Sequence, residues 1–283
     1  YPVAHSLSPG MHEIIYSILG LDWVYIKKEI SPDKLEDFIE SIKIDKKIRG
    51  FNLTIPHKEA VISLLDEVDE QALQIGAVNT VLKTDAGLKG FNTDWMGFLS
   101  DITALLGGPP ANKTTLLIGC GGAGLSVLEA LSYSNFSTGG ESDVYLYDID
   151  RNKAEMVASI PRMNLNLHPI NKEDLEETLS LADLLVNASP LGMKEGDFFP
   201  LKISPSNMKA GLSVYDLVYN RKTELLKNAE ELNLKALGGL GMLAGQGLEA
   251  FKIWYGKNLE ESKLLSIKTA MVEYLKKEVG RDD

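Results

Sequence analysis

Two kinds of residue grouping in this chain have the types and spacing for chemistry. The first is Gly119-Cys120-Gly121-Gly122-Ala123-Gly124, which follows the apolar run Leu116-Leu117-Ile118 and precedes a helical stretch over 125–131. A second apolar run, 144–147, ends at Asp148. This is the order a dinucleotide site needs. Gly119 allows a sharp turn, Gly121 lets the backbone approach a pyrophosphate, and Gly124 lets the helix pack close to the strand. The free N–H groups of the helix then face the phosphates. A carboxylate at the end of the second strand accepts from a ribose 2′-hydroxyl and repels a 2′-phosphate, so Asp148 predicts NAD rather than NADP. Asp148 also suits a helix N-cap, but Asp150 fills that role equally well and leaves Asp148 for ribose. Arg151 and Lys153 add positive charge at the start of the following helix. Cys120 is read either as a thiolate near a helix N-terminus or as a small residue that a tight turn tolerates.

The second kind is a set of polar clusters where a simple core would not want them. His5-Ser6-Leu7-Ser8-Pro9 offers two hydroxyls, Ser6 and Ser8, that point the same way if the turn is extended and could grip a polyol or a carboxylate. Ser8 followed by Pro9 is also a common helix start. Asn52 and Thr54 share a side at the end of an apolar strand, and Pro56 then starts a helix carrying Lys58. Asn79 lies in an apolar run where its amide needs partners. Asn92-Thr93-Asp94 ends a hairpin, with Asp94 as a helix cap or a cleft carboxylate.

Elements that alternate between helix and strand must position these residues. Periodicity predicts helices over 11–19, 35–42, 58–65 and 95–106, with strands over 23–30, 48–53, 77–82 and 87–91. The Asp85-Ala86-Gly87 turn joins the last two strands. Gly107-Gly108-Pro109-Pro110 breaks the pattern and marks a domain boundary. Beyond it, 115–118, 184–187 and 212–216 read as buried parallel strands covered by helices over 151–158, 172–179 and 222–232. Residues 137–142 read as an exposed polar turn, and 240–277 as wholly helical.

The chain has 283 residues, 44% of them hydrophobic, a formal net charge of −11 and a pI of about 5.0. That length suits two domains with sizeable cores. The acidity argues against nucleic-acid binding. No uninterrupted apolar run reaches the roughly 18 residues of a membrane span. The single cysteine rules out an internal disulfide framework or a cysteine metal cluster, and no His/Cys/carboxylate group has ligand spacing, so no metal is expected. With no recognisable signal peptide, a reducing, cytoplasmic compartment is the expectation.

Taken together, these residues resemble the shikimate/quinate dehydrogenase family. The family's markers are His-Ser-x-Ser-Pro, Asn-x-Thr-x-Pro-x-Lys, Gly-Ala-x-Asn-Thr, Gly-x-Asn-Thr-Asp, Gly-x-Gly-Gly-Ala, Asn-Ala-(Ser/Thr) and Gly-x-x-Met-Leu-x-x-Gln. All are present in that order: Ser6 and Ser8, Asn52 through Lys58, Asn79, Asp94, Gly119 through Ala123, Asn187-Ala188-Ser189, and Gly239 through Gln246. The resemblance implies an α/β enzyme of two domains. A substrate domain over 1–107 precedes a Rossmann-type doubly wound parallel sheet over 108–239, and C-terminal helices over 240–283 pack back on the first domain. It implies that Ser6 and Ser8 hold the substrate carboxylate, that Asn52, Thr54, Lys58, Asn79, Asp94 and Gln246 surround the ring hydroxyls, and that Tyr219 contacts the carboxylate end. It places Gly119, Gly121, Gly122, Ala123, Asp148, Arg151, Asn187, Ala188, Ser189, Leu217, Gly239 and Met242 around the cofactor.

The implied reaction is reversible hydride transfer between a ring carbinol of shikimate or quinate and a nicotinamide, with Lys58 and Asp94 exchanging the hydroxyl proton. NADP-using relatives carry Asn-Arg-Thr where this chain has Asp148-Ile149-Asp150, which points to the NAD-using quinate/shikimate branch. The segment after Tyr219 also departs from the family, lacking its Pro and one residue. A non-catalytic quinate/shikimate-binding regulator is the alternative, and a monomer or homodimer is expected. A further rival is a two-domain dehydrogenase of the same fold acting on another substrate, which the carboxylate-binding pair Ser6 and Ser8 disfavours.

Overall fold

Alternating apolar residues and helical spacing build two separate sheets in the computed structural model, which describes residues 1–280. The chain divides into one unit of Tyr1–Gly97 with Ala244–Glu278, and a second built mainly of Phe98–Leu243.

In chain order the first unit contains α1 (Ser8–Leu19), α2 (Leu35–Ile44), β1 (Gly50–Asn52), α3 (His57–Ala60), β2 (Glu67–Val68), α4 (Glu70–Ile75), β3 (Thr80–Thr84) and β4 (Gly87–Phe91). The strands pair in the order β1-β3-β4-β2. β1 and β4 run antiparallel to β3, and β2 runs parallel to β4. The register sets Asn52 opposite Thr80 and Thr80 opposite Phe91, so the site-bearing ends of three strands lie side by side. Leu35, Ile39 and Ile42 recur at helical spacing and face Val61, Ala72, Val78, Val81 and Leu88 in the core.

The chain leaves this unit within α5 (Asp94–Leu106). The second unit continues with β5 (Thr115–Ile118), α6 (Gly122–Thr138), β6 (Ser142–Tyr147), α7 (Arg151–Ser159), β7 (Leu165–Pro169), α8 (Leu175–Leu181), β8 (Leu184–Asn187), β9 (Ser213–Asp216), α9 (Glu224–Glu231) and β10 (Lys235–Gly238). The chain returns within α10 (Leu240–Tyr255), and α11 (Glu261–Glu278) follows a break at Gly256. α11 buries Ile267, Met271 and Leu275 and packs on α1, where a side chain at Gly10 would overlap the Tyr274 phenol.

The second sheet is parallel throughout, in the order β10-β9-β8-β5-β6-β7. The order reverses between β5 and β8, as in a doubly wound dinucleotide fold. β5, β8 and β9 are buried on both faces, which is why β5 and β8 read as nearly continuous apolar runs. No helix among the described residues is long and apolar enough to cross a membrane.

Several local expectations need correction. Residues 23–30 form no sheet strand. Trp23 and Tyr25 are partly buried while Val24 and Ile26 are exposed, so the two faces alternate as expected, but no ladder joins the segment to a strand among the described residues. A period of two assigns faces; it does not supply a hydrogen-bonding partner. The exposed turn expected over 137–142 is shorter: α6 continues to Thr138, Gly139 supplies its left-handed C-cap, and the turn is confined to 139–141 before β6 begins at Ser142, with Ser137, Thr138, Gly139 and Glu141 exposed. β2, α4, β7 and β10 were not foreseen. β2, β7 and β10 lie at sheet edges and are short or partly polar, and α4 is a helix of 6 residues, so each carries too weak a pattern.

Candidate functional site

In the first unit, one hydrogen-bonded network gathers most of the polar residues singled out from sequence. Lys58, on α3, donates from Nζ to Asp94 Oδ2 at 2.7 Å, both side chains being only partly exposed. Asp94 opens α5, and its Oδ1 accepts from Asn79 Nδ2 at 2.8 Å. Asn79 is buried and saturated. Its Oδ1 accepts from the Thr93 N–H at 2.8 Å and the Thr80 hydroxyl at 2.9 Å, and its Nδ2 also reaches Gln246 Oε1 at 3.5 Å. Asn52 donates to the Asn79 carbonyl at 3.1 Å and to Thr80 Oγ1 at 2.9 Å.

From Asn52 the network reaches the serine pair. Tyr25 donates to Asn52 Oδ1 at 2.8 Å, the Ser8 hydroxyl acts on the Tyr25 phenol against its burial, and Ser6 Oγ donates to Ser8 Oγ at 3.2 Å. Burial, with Tyr16 nearby, holds the Tyr25 phenol far above its usual value, so it stays a protonated donor. Ser8 is not the helix N-cap; Leu7 takes that position, and the Ser8 N–H donates to Ser6 Oγ at 3.3 Å. Thr54 stands apart, exposed at the turn, with its carbonyl accepting from the His57 N–H. Thr80 and Thr93 are network members that the sequence does not single out, because neutral hydroxyls in apolar runs carry no distinctive local signal, whereas Tyr25 is expected near Ser6 and Ser8 and its bond to Asn52 is not. Tyr219 belongs to the second unit and is exposed.

In the second unit the glycine loop has the shape of a phosphate cradle. Gly119 has φ +99, and a Cβ there would come 2.7 Å from the Ser189 backbone nitrogen. A Cβ on Gly124 would overlap the Gly119 carbonyl oxygen. Gly122 faces open space, as does Gly121 apart from Lys153 Nζ, 3.6 Å from where its Cβ would be. α6 begins there with no side-chain cap and no acid in its first turn, and the neighbouring Ala123 is exposed. Uncapped N–H groups above an open glycine surface fit a dinucleotide pyrophosphate.

Asp148 has a structural task in the loop. Its two oxygens accept from the Cys120 N–H at 2.8 Å and the Asp150 N–H at 3.0 Å, so the carboxylate fastens the glycine loop to the end of β6. Asp150 caps α7 through the Asn152 N–H. Arg151 turns to Glu155, at 2.8 Å, and to Asn171. Lys153, read from sequence only as added charge, is the cation beside the loop. Cys120 is buried, and burial with Asp148 pushes its thiol up to about 12 against the pull of Lys153. It is a small residue in a tight turn.

Across the strand reversal, Asn187 ends β8 fully buried, and its Oδ1 accepts the Ser189 N–H at 3.1 Å and hydroxyl at 2.6 Å. Ala188 follows with its N–H donating to the Ile118 carbonyl, and Leu217 N–H donates to the Asn187 carbonyl at 2.9 Å. A side chain on Gly239 would overlap the Leu217 carbonyl oxygen. Met242 is half-buried in the first turn of α10.

Residues 1–81 match the family model described as the shikimate dehydrogenase substrate binding domain. A curated relative from Alkaliphilus metalliredigens, named shikimate dehydrogenase (NADP(+)), is 37% identical over 266 residues, covering 92% of this chain and 90% of the relative. The crystal structure of shikimate 5-dehydrogenase from Thermus thermophilus in complex with NADP(H) and shikimate superposes with TM-score 0.78 at 35% identity, covering 96% of this chain and 97% of that one. Quinate dehydrogenase from Corynebacterium glutamicum in complex with NAD superposes with TM-score 0.77 at 29% identity, covering 95% of each chain. Further curated relatives carry the NADP(+) name as well. These names overturn the expectation that NAD is favoured over NADP. The expectation weighed the Asp148 charge, which the structure leaves in place, and not the Lys153 ammonium, which stands by Gly121 in the loop.

Proposed function

We propose that this chain, which belongs to the shikimate dehydrogenase family, catalyses the reversible NADP-dependent oxidation of shikimate at a ring hydroxyl to 3-dehydroshikimate. The observation that carries this reading is the hydrogen-bonded network from Tyr25 through Asn52 and Asn79 to the Lys58–Asp94 pair, with the hydrogen-bonded pair Ser6 and Ser8 next to Tyr25. It presents hydroxyl donors at one end, suited to a carboxylate, and a hydrogen-bonded ion pair at the other, suited to a carbinol.

NADP(H), when bound, takes or supplies a hydride at the nicotinamide C4. The chain's own residues handle the proton. A substrate hydroxyl next to Lys58 Nζ and Asp94 Oδ2 loses its proton to that pair as the hydride departs. In reduction the pair returns it to the ketone oxygen. Asn79 holds Asp94 in orientation through Oδ1, and the amide of Gln246 completes the hydroxyl-binding surface. Ser6 and Ser8 donate to the substrate carboxylate, whose charge does not change during the reaction. The uncapped turn of α6 takes the pyrophosphate, and Lys153 supplies the charge that a 2′-phosphate requires. We assign the substrate to the first unit and the dinucleotide to the second.

Steady-state kinetics with shikimate and quinate, each against NADP and NAD, tests the reading. The highest kcat/KM is expected for shikimate with NADP. No turnover with any pair removes the enzyme assignment in favour of a binding protein. A kcat/KM for NAD equal to or above that for NADP removes the cofactor assignment alone.

A further inference from the structure

Asp216 is a fully buried carboxylate that the reading above leaves unused. It ends β9 and accepts from the end of β8 and from two points on the segment after β9. Asn187 Nδ2, at the end of β8, lies at 2.9 Å. The Val218 N–H, in the segment after β9, lies at 3.1 Å. The Thr223 hydroxyl lies at 2.6 Å, and its oxygen also caps α9 by accepting from the Leu226 N–H at 3.2 Å.

The constraint spreads outward from these partners. Asn187 Nδ2 also donates to the Leu191 carbonyl at 3.0 Å, and Asn187 Oδ1 holds Ser189. Gly192, at φ +99, lies so close to Thr223 that a side chain there would come 2.8 Å from Cγ2. One carboxylate therefore ties the backbone after β8 to the backbone after β9. Three converging donors also explain the residue type. A carboxylate only accepts, whereas an amide would place its NH2 either against the Asn187 and Val218 donors or against the Thr223 hydroxyl, which would have to turn and give up its own donated bond.

The location gives the cluster its function. Asn187 and Asp216 are neighbours in the parallel register, at the carboxyl ends of β8 and β9 beside the strand reversal. A sheet of this order binds its dinucleotide as two mononucleotides, one on each half. The glycine loop follows β5 and Asp148 ends β6, which makes that half the adenosine side. The half built on β8, β9 and β10 is left for the nicotinamide mononucleotide. We propose that Asp216 is a positioning residue for the nicotinamide half of the cofactor. It holds the loops 187–192 and 217–223 in the one arrangement that receives that half. The proposal rests on the NADP-dependent dehydrogenase reading.

The test compares Asp216→Asn with wild type, using NADPH and adenosine 2′,5′-bisphosphate, a ligand that fills the adenosine side alone. For Asp216→Asn, NADPH affinity and kcat are each expected to fall by about tenfold or more, since small misplacements of reacting groups are costly. The bisphosphate Kd is expected to stay within about twofold of wild type, because that half is bound elsewhere. Thr223→Ser, which keeps the hydroxyl, is expected to behave as wild type, and Thr223→Val to reproduce the split between the two ligands. Should Asp216→Asn not fold, Thr223→Val carries the same comparison. Equal weakening of both ligands makes the cluster a purely structural support and overturns the proposal. Unchanged NADPH affinity and kcat overturn it too. A wild-type chain that binds no NADPH would instead mean that the underlying dehydrogenase reading has failed.

Discussion

Lys58 and Asp94 come from segments 36 residues apart and are held 2.7 Å from each other, with Asn79 fixing the second carboxylate oxygen. Removing the ammonium takes away half of the proton-exchanging pair. Lys58→Ala is expected to lower kcat by about 10²–10⁴ while shikimate binding stays measurable. A variant retaining more than half of wild-type kcat would remove Lys58 from the chemistry. Ser6 and Ser8 contact a group that does not react, so Ser6→Ala and Ser8→Ala should raise KM and leave kcat within about threefold. A collapse of kcat at constant KM would refute the carboxylate assignment. Cys120 makes a separate prediction. Its buried thiol, pushed up to about 12, should resist alkylation at pH 8 in the folded protein and react once the chain is unfolded in denaturant. Rapid labelling of the native protein would contradict the burial. At this scale residue types are legible and partners are not: the sequence offers Asp148 as a ribose acceptor and says nothing of the Cys120 and Asp150 N–H groups that it also holds.

α1 shows what an element adds. Its buried face carries Met11 and Ile15, as helical periodicity implies, but also His12, stacked on Tyr25 at 4.4 Å and fully buried with Nδ1 unpartnered. Burial lowers the His12 pKa to about 3, against about 6.5 in an unfolded chain. The unfolded state therefore takes up a proton that the folded state refuses. The stability due to neutral His12 is present in full above about pH 6.5 and is lost as pH falls towards 3, at about 1.4 kcal/mol per pH unit. His12→Phe should flatten the fall in stability between pH 6.5 and 4, measured by urea unfolding. Identical slopes for variant and wild type would show that His12 is protonated in the fold. Most helices are readable from period and buried strands from their apolar runs, though 240–277, expected to be wholly helical, breaks after Tyr255 into α10 and α11. The edge strands β7 and β10 are not readable in this way, because half-exposed strands keep polar residues that blur alternation.

For the whole molecule, a ligand that binds only the folded state must stabilise it. NADPH at about 100-fold above its Kd should add about 2.7 kcal/mol, seen as a rise in Tm that grows with concentration. No rise at any concentration would remove the cofactor from the native state. The residues by themselves determined that a glycine loop follows a buried strand, that helices and strands alternate, and that polar groups gather at strand ends, since each is a local matter of sterics or spacing. The tertiary structure alone decided which donor meets which acceptor. Asn79 reaches Gln246 across 167 positions and Asp216 joins the end of β8 to the loop after β9, while Lys153 rather than Arg151 stands at the loop. Hydrogen bonds depend on distance and direction in space, and those are set only when the sheets close and place remote segments within reach.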